Sequence, residues 1–122
     1  LKLDDVVMRT TVWGIATCST VKKAERALTD HGIAWSPRDL RAAPPTRADV
    51  LRFVAGVGVA ALKNTSGGSY RALPESARRW TDDAWIDAFV ADPMLLKRPI
   101  IERDGVTVGV GFKTDAVLAK LR

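Results

Sequence analysis

The order of elements over residues 10–36 constrains this chain more than any other feature. Thr10 to Ile15 reads TTVWGI, a short run rich in β-branched and aromatic residues. Ala16, Thr17, Cys18 and Ser19 follow as a tight connection. Val21, Ala24, Ala27 and Leu28 then recur at helical spacing between Lys22, Lys23, Glu25, Arg26 and Asp30, which predicts a helix with one apolar face. Ser19 or Thr20 is expected to cap it through a hydroxyl, and Gly32 to end it. Ile33 to Ser36 predicts a second strand, stopped by Pro37. Two strands joined by one helix form a βαβ unit, so these strands are expected to run parallel.

Downstream, Thr46 with Asp49 three residues on is a near match to a capping box. The helix it opens is expected to bury Val50, Leu51 and Val54 and to end at Gly56 and Gly58. Lys63 to Ser69 reads as a polar, glycine-rich connection. A short helical piece is expected around Glu75 to Trp80. Thr81-Asp82-Asp83 starts a helix with Trp85, Ala88 and Phe89 on one face, and Pro93 follows it. Asp104-Gly105 between two β-rich runs, Ile100 to Arg103 and Val106 to Val110, is a strong hairpin signal. Thr114 is placed to cap a last helix carrying Val117, Leu118 and Leu121. The coarse order is β-α-β, a helical insertion, then β-β-α, an α/β pattern compatible with a thioredoxin-like fold and with other small α/β folds.

A chain of 122 residues fits one compact domain. Residues 1–8 read as a flexible N-terminal extension and 9–122 as the single domain. The one cysteine excludes an intrachain disulfide, and with it a stapled secreted framework, so a reducing, cytoplasmic setting is the simpler expectation. No apolar run approaches the roughly 20 residues that span a bilayer. The net charge of +5 is spread along the chain without a dense basic run or a nucleic-acid motif, the pattern of a solvated basic surface with no direct nucleic-acid role. One histidine and one cysteine cannot make a structural zinc site. His31 falls in the last turn of the first helix, where it complements the dipole.

Cys18 carries the chemistry. A lone cysteine is by residue type a small buried hydrophobe. Between a strand and a helix, however, free N–H groups and the positive end of the helix dipole favour the thiolate over the thiol, and Lys22 and Lys23 add positive charge. A dithiol site would need a second cysteine at Val21, so an outside thiol must resolve any mixed disulfide. Arg98 precedes Pro99 at the start of a strand. By residue type it is a surface arginine before an ordinary proline; the alternative is a guanidinium fork held extended for a carboxylate or oxyanion.

Several segments taken together resemble the arsenate-reductase-like (ArsC) family. They are Val12-Trp13-Gly14-Ile15, Thr17-Cys18-Ser19-Thr20-Val21-Lys22-Lys23-Ala24, Leu62-Lys63-Asn64-Thr65 with Tyr70-Arg71-Ala72-Leu73, Leu95 to Ile101, and Val110-Gly111-Phe112-Lys113. The resemblance runs in order from about Thr10 to Leu121. It implies a thioredoxin-like fold, a four-stranded mixed sheet with an inserted helical subdomain. It also implies a cis-proline facing the active cysteine, a place that Pro99 matches. In glutaredoxin-coupled arsenate reductases the cysteine attacks arsenate and arginines hold the oxyanion; Cys18 matches that nucleophile and Arg98 the arginine before the proline. The arginine of the middle motif is not apparent at Leu62-Lys63-Asn64, and Gly111-Phe112-Lys113 stands in the region of a second late arginine. Fewer oxyanion donors should weaken arsenate reduction.

The chain is more similar to the YffB-like branch, which implies a glutathione-dependent thiol oxidoreductase. Cys18 would be its nucleophile and Arg98 its catalytic partner. Thr17, Ser19, Thr20, Arg98, Pro99 and Lys113 would form the substrate or glutathione site. No bound cofactor or metal is expected; glutathione would be the co-substrate, and glutathione or a glutaredoxin-like protein the partner. The alternatives are a glutaredoxin-coupled arsenate reductase and a Spx-like regulator binding the RNA polymerase α subunit. Val21 argues against the Cys-x-x-Cys switch of the latter.

Overall fold

The computed structural model describes residues 9–112 and 114–121; the expected extension at residues 1–8 lies outside them. Strand β1 (Thr10–Gly14) leads into helix α1 (Ser19–Asp30) and strand β2 (Trp35–Asp39). A helical region follows: α2 (Arg47–Val57), α3 (Val59–Leu62), α4 (Gly68–Arg71), a 3-10 turn (Glu75–Arg79), α5 (Asp82–Ala91) and a second 3-10 turn (Pro93–Leu95). Strands β3 (Ile100–Arg103) and β4 (Val106–Val110) and helix α6 (Thr114–Leu121) complete the chain. No helix among the described residues is long and apolar enough to cross a membrane.

The sheet has the order β2-β1-β3-β4. β1 runs parallel to β2 and antiparallel to β3, and β3 pairs antiparallel with β4. Asp104 and Gly105, both at positive φ, turn the hairpin with the twist that suits the flanking strands. Because side chains alternate along a strand, adjacent residues feed opposite cores. Trp13 and Ile100 pack with Phe53, Trp85 and Phe89 on the side of the helical insertion. Val12 and Ile101 pack with Leu28, Val117 and Leu121 on the side of α1 and α6.

Four sequence expectations need correction. β2 continues through Pro37, which pairs with Val12, because β2 is an edge strand and a missing N–H is tolerated there. α2 buries Val50 and Phe53, leaving Leu51 46% exposed; Leu51 lies about 100° round the helix from Val50, off the stripe that faces the sheet. Gly56 lies within α2, which ends at Gly58 with positive φ; an added Cβ at Gly56 would come within 2.2 Å of the Thr107 carbonyl oxygen, so this glycine lets α2 close on β4. Gly68 and Ser69, expected in a loop, open α4. The Thr46–Asp49 capping box, by contrast, is complete in both directions.

Glu102 is a buried carboxylate at the centre of the sheet. It accepts from Trp13 Nε1 at 2.9 Å, from the Thr107 hydroxyl at 2.9 Å and from two nitrogens of Arg52 at 3.0 Å each. Burial pushes this carboxyl upward, but the Arg52 fork and the Trp13 and Thr107 donors outweigh it and hold it below the usual carboxylate range. The group therefore adds stability that is present above its unfolded pKa of about 4.3 and is lost as pH falls through the lower folded value. Acid unfolding followed by tryptophan fluorescence should show that loss, and Glu102→Gln should flatten the dependence. Gly56→Ala should lower denaturant stability by about 1–3 kcal/mol although alanine is the better helix former; an unchanged midpoint would contradict the close approach of α2 and β4.

Candidate active site at the start of the first helix

Cys18 is the N-cap residue of α1, with extended backbone angles. Its carbonyl accepts the first helical bond, from Lys22 N–H at 3.2 Å, and its own N–H donates to Ile15 at 3.2 Å. The expected hydroxyl cap from Ser19 or Thr20 is absent: both lie inside the helix, and no side chain caps it. This correction matters for the chemistry. At an N-cap, the side chain faces the free N–H groups of the second and third helical residues, here Thr20 and Val21. Position 18 thus puts a cysteine where a cap normally puts an oxygen acceptor, although its sulfur makes no capping hydrogen bond.

The thiol is half-buried and packs against both hydrophobic cores, at the end of the sheet where they meet. It opens into a cleft of about 530 Å³. Thr20 and the cations Lys97 and Arg98 line the cleft beside it; Asn64, Ser66 and Gly67 form another wall, and Val110, Gly111 and Phe112 a third. None of these lining residues is acidic. Among the described residues, no group of three or more His, Cys, Asp or Glu side chains is placed to hold a metal ion.

Arg98 comes to the cleft because the chain before β3 pairs with the chain after α3. Lys63 bridges to Leu96, Lys97 N–H donates to the Leu62 carbonyl at 2.7 Å, and Asn64 N–H donates to the Leu95 carbonyl at 2.9 Å. Arg98 Nη1 donates to the Leu96 carbonyl at 3.1 Å and more weakly to Met94 at 3.5 Å; its buried Nε has no partner among the described residues. The Arg98–Pro99 peptide bond is cis. Pro99 is fully buried, and its carbonyl accepts from Gly111 N–H at 2.8 Å, which ties the end of β4 beneath the cleft.

The structure thus gathers Cys18, Thr20 and Arg98 around one cleft, while Pro99, fully buried next to Arg98 in the chain, does not line it. Thr17 and Ser19 are exposed and do not line it, and Lys113 lies outside the described residues. Sequence reasoning missed the Asn64–Gly67 wall. Those residues look like any flexible polar loop until the Lys63–Leu96 pairing places them; the signal that could have found them was the place of Leu62-Lys63-Asn64-Thr65 in the family's middle motif.

Comparison with known proteins agrees with this architecture. A model of the ArsC family matches residues 13–120. The chain belongs to the ArsC family. It is 32% identical to the YusI protein of Bacillus subtilis over 112 residues, 88% of this chain and 94% of that one. The arsenate reductase of Escherichia coli K12 is 27% identical over 93 residues, 75% of this chain and 66% of the enzyme. Among solved structures, an ArsC-related protein from Brucella melitensis superposes with a TM-score of 0.72 at 33% identity, covering 93% of this chain and 95% of that one. The fold is thioredoxin-like, a mixed four-stranded sheet with an inserted helical region, and ArsC membership supports a thiol-based redox function.

A cleft that among the described residues is lined by two cations and no carboxylate should favour anionic reagents. Iodoacetate should alkylate Cys18 faster, relative to neutral iodoacetamide, in the folded protein than in the urea-unfolded chain. Added salt should erase the advantage. Equal ratios in the two states would mean that Lys97 and Arg98 do not act on the thiol.

Proposed function

We propose that this protein is a glutathione-linked thiol oxidoreductase acting through Cys18 alone. The observation that carries the reading is the placement of one thiol at a helix N-cap in the same cleft as Arg98. The Cys18 thiolate attacks the glutathione sulfur of a glutathionylated substrate. A Cys18–glutathione disulfide forms, the substrate's S–S bond breaks, and the substrate sulfur leaves as a thiolate. A second glutathione thiolate then attacks the glutathione sulfur of that mixed disulfide, releasing glutathione disulfide and regenerating Cys18. The incoming glutathione sulfur is oxidised from thiol to disulfide and the substrate sulfur is reduced from disulfide to thiol, one for one, so the electrons balance without a bound cofactor.

Three features support this reading. The first-turn N–H groups of Thr20 and Val21 are available to a charged sulfur at the N-cap. The chain supplies no second cysteine, so the resolving thiol comes from outside. Arg98 and Lys97 suit a thiol that carries carboxylates, as glutathione does. Ser19 belongs to the same helix start through its backbone, and Lys113 is proposed as a further cation for the bound anion.

The test is turnover of a glutathionylated peptide with glutathione. Cys18→Ser should abolish turnover and the glutathione adduct seen by mass spectrometry. Arg98→Ala should raise KM about tenfold or more, the value of a lost charge-assisted hydrogen bond. Full activity in Cys18→Ser would end the proposal. Arsenate turnover that exceeds thiol turnover would instead favour the activity named for the Escherichia coli relative.

A further inference from the structure

The thiol-exchange reading leaves one wall of the cleft without a role. Asn64 lines that wall, half-buried, on a turn held from several directions. Its N–H donates to Leu95, Gly67 N–H donates to the Asn64 carbonyl at 3.3 Å, and Arg71 donates from α4 to the Ser66 carbonyl. Gly67 is needed for close approach: an added Cβ would lie 2.6 Å from Asn64 Nδ2 and 3.3 Å from its Cγ. The backbone of Asn64 is therefore fixed, and the space around its amide is reserved.

The amide itself is only loosely engaged. Nδ2 donates to the Met94 carbonyl at 3.5 Å, and Oδ1 accepts from the Ser66 hydroxyl at 3.3 Å. Both are long against an ordinary hydrogen bond of about 2.9 Å. A carboxamide has two donors and two acceptor sites, so one N–H and one lone pair remain unused among the described residues. That pair complements the N–H and C=O of one extended residue, which point to the same side of a peptide chain. The Met94 carbonyl also takes Arg98 Nη1 at 3.5 Å, so the amide and the guanidinium lean on the same oxygen and stand side by side at the cleft.

We propose that Asn64 is a specificity-determining residue of this cleft, pairing with the backbone N–H and C=O of one residue of a thiol peptide joined to Cys18 while Arg98 takes a carboxylate of the same molecule. The inference rests on the thiol-exchange reading above. It narrows the substrate class to anionic peptidyl thiols, as distinct from small thiols that lack a peptide bond. In the exchange, the Cys18 thiolate bonds to the peptide's sulfur and the second sulfur of the incoming disulfide leaves as a thiolate. Asn64 and Arg98 select which sulfur-bearing molecule stays.

The experiment compares rate constants for the full-length folded protein with glutathione disulfide, which is anionic and peptidic, and with bis(2-hydroxyethyl) disulfide, which is neutral and has no peptide group. The variants are Asn64→Ala, which removes the amide, and Gly67→Ala, which crowds it without removing it. Both should lower the preference for glutathione disulfide about fivefold to tenfold, the value of one hydrogen bond. Circular dichroism confirms that each variant is folded. A merely structural role would slow both reagents equally; that result, or an unchanged preference, overturns the inference while leaving Cys18 exchange intact. Wild-type protein that exchanges with neither reagent overturns the thiol-exchange reading as well, and so separates the two failures.

Discussion

The antiparallel register of β1 against β3 is the constraint on which the site depends. Trp13 lies opposite Ile100 and Val12 opposite Ile101, so the C-terminal end of β1 meets the N-terminal start of β3. Cys18 follows β1 after one short connection, and Arg98 and Pro99 immediately precede β3. The pairing therefore delivers segments some 80 residues apart in sequence to one end of the sheet. A slip of one residue would exchange the two faces of β3, sending Ile100 to the core of Ile101 and moving the Arg98–Pro99 ledge along β1.

What resists that slip is partly apolar and partly polar. Both strands are buried on both faces, so every alternate residue has a core to fill. The Glu102 carboxylate adds a directional requirement, because Trp13, Thr107 and Arg52 reach it from β1, β4 and α2 only in the observed register. Burying a carboxylate is costly, and a buried ion pair is weak evidence of net stability. Its contribution here is to specificity: any other pairing would leave a buried charge without its donors. The register that brings Cys18 and Arg98 together is thereby held by groups further along the sheet, where Glu102 lies opposite Thr11.

How legible this was depends on how local each cause is. The Asp104-Gly105 hairpin, the Thr46–Asp49 capping box and the apolar stripe of α1 were readable because each is set by residues within one turn or two of the chain. The passage of β2 through Pro37 was not, because proline's missing donor matters only if a neighbour needs it, and edge position is a property of the sheet. Gly56 read as a helix end, whereas its role is set by Thr107 on another element. Leu51 read as core because hydrophobicity alone does not say which side of α2 meets the sheet. Cys18 was found from its place between strand and helix, although its position as the cap itself needed the backbone angles.

The sequence by itself determined the α/β order, the single thiol ahead of an amphipathic helix and the arginine before a proline, because residue type and short-range spacing govern helix starts, tight turns and strand propensity. Only the tertiary structure decided that the thiol and the arginine share a cleft, that Asn64 stands beside them, and that Thr17 and Ser19 are exposed and do not line it. Those outcomes follow from strand register and from the bridge between Lys63 and Leu96, both of which are pairings across long stretches of chain. Such pairings are fixed by the simultaneous burial of two cores, a condition that no local segment encodes.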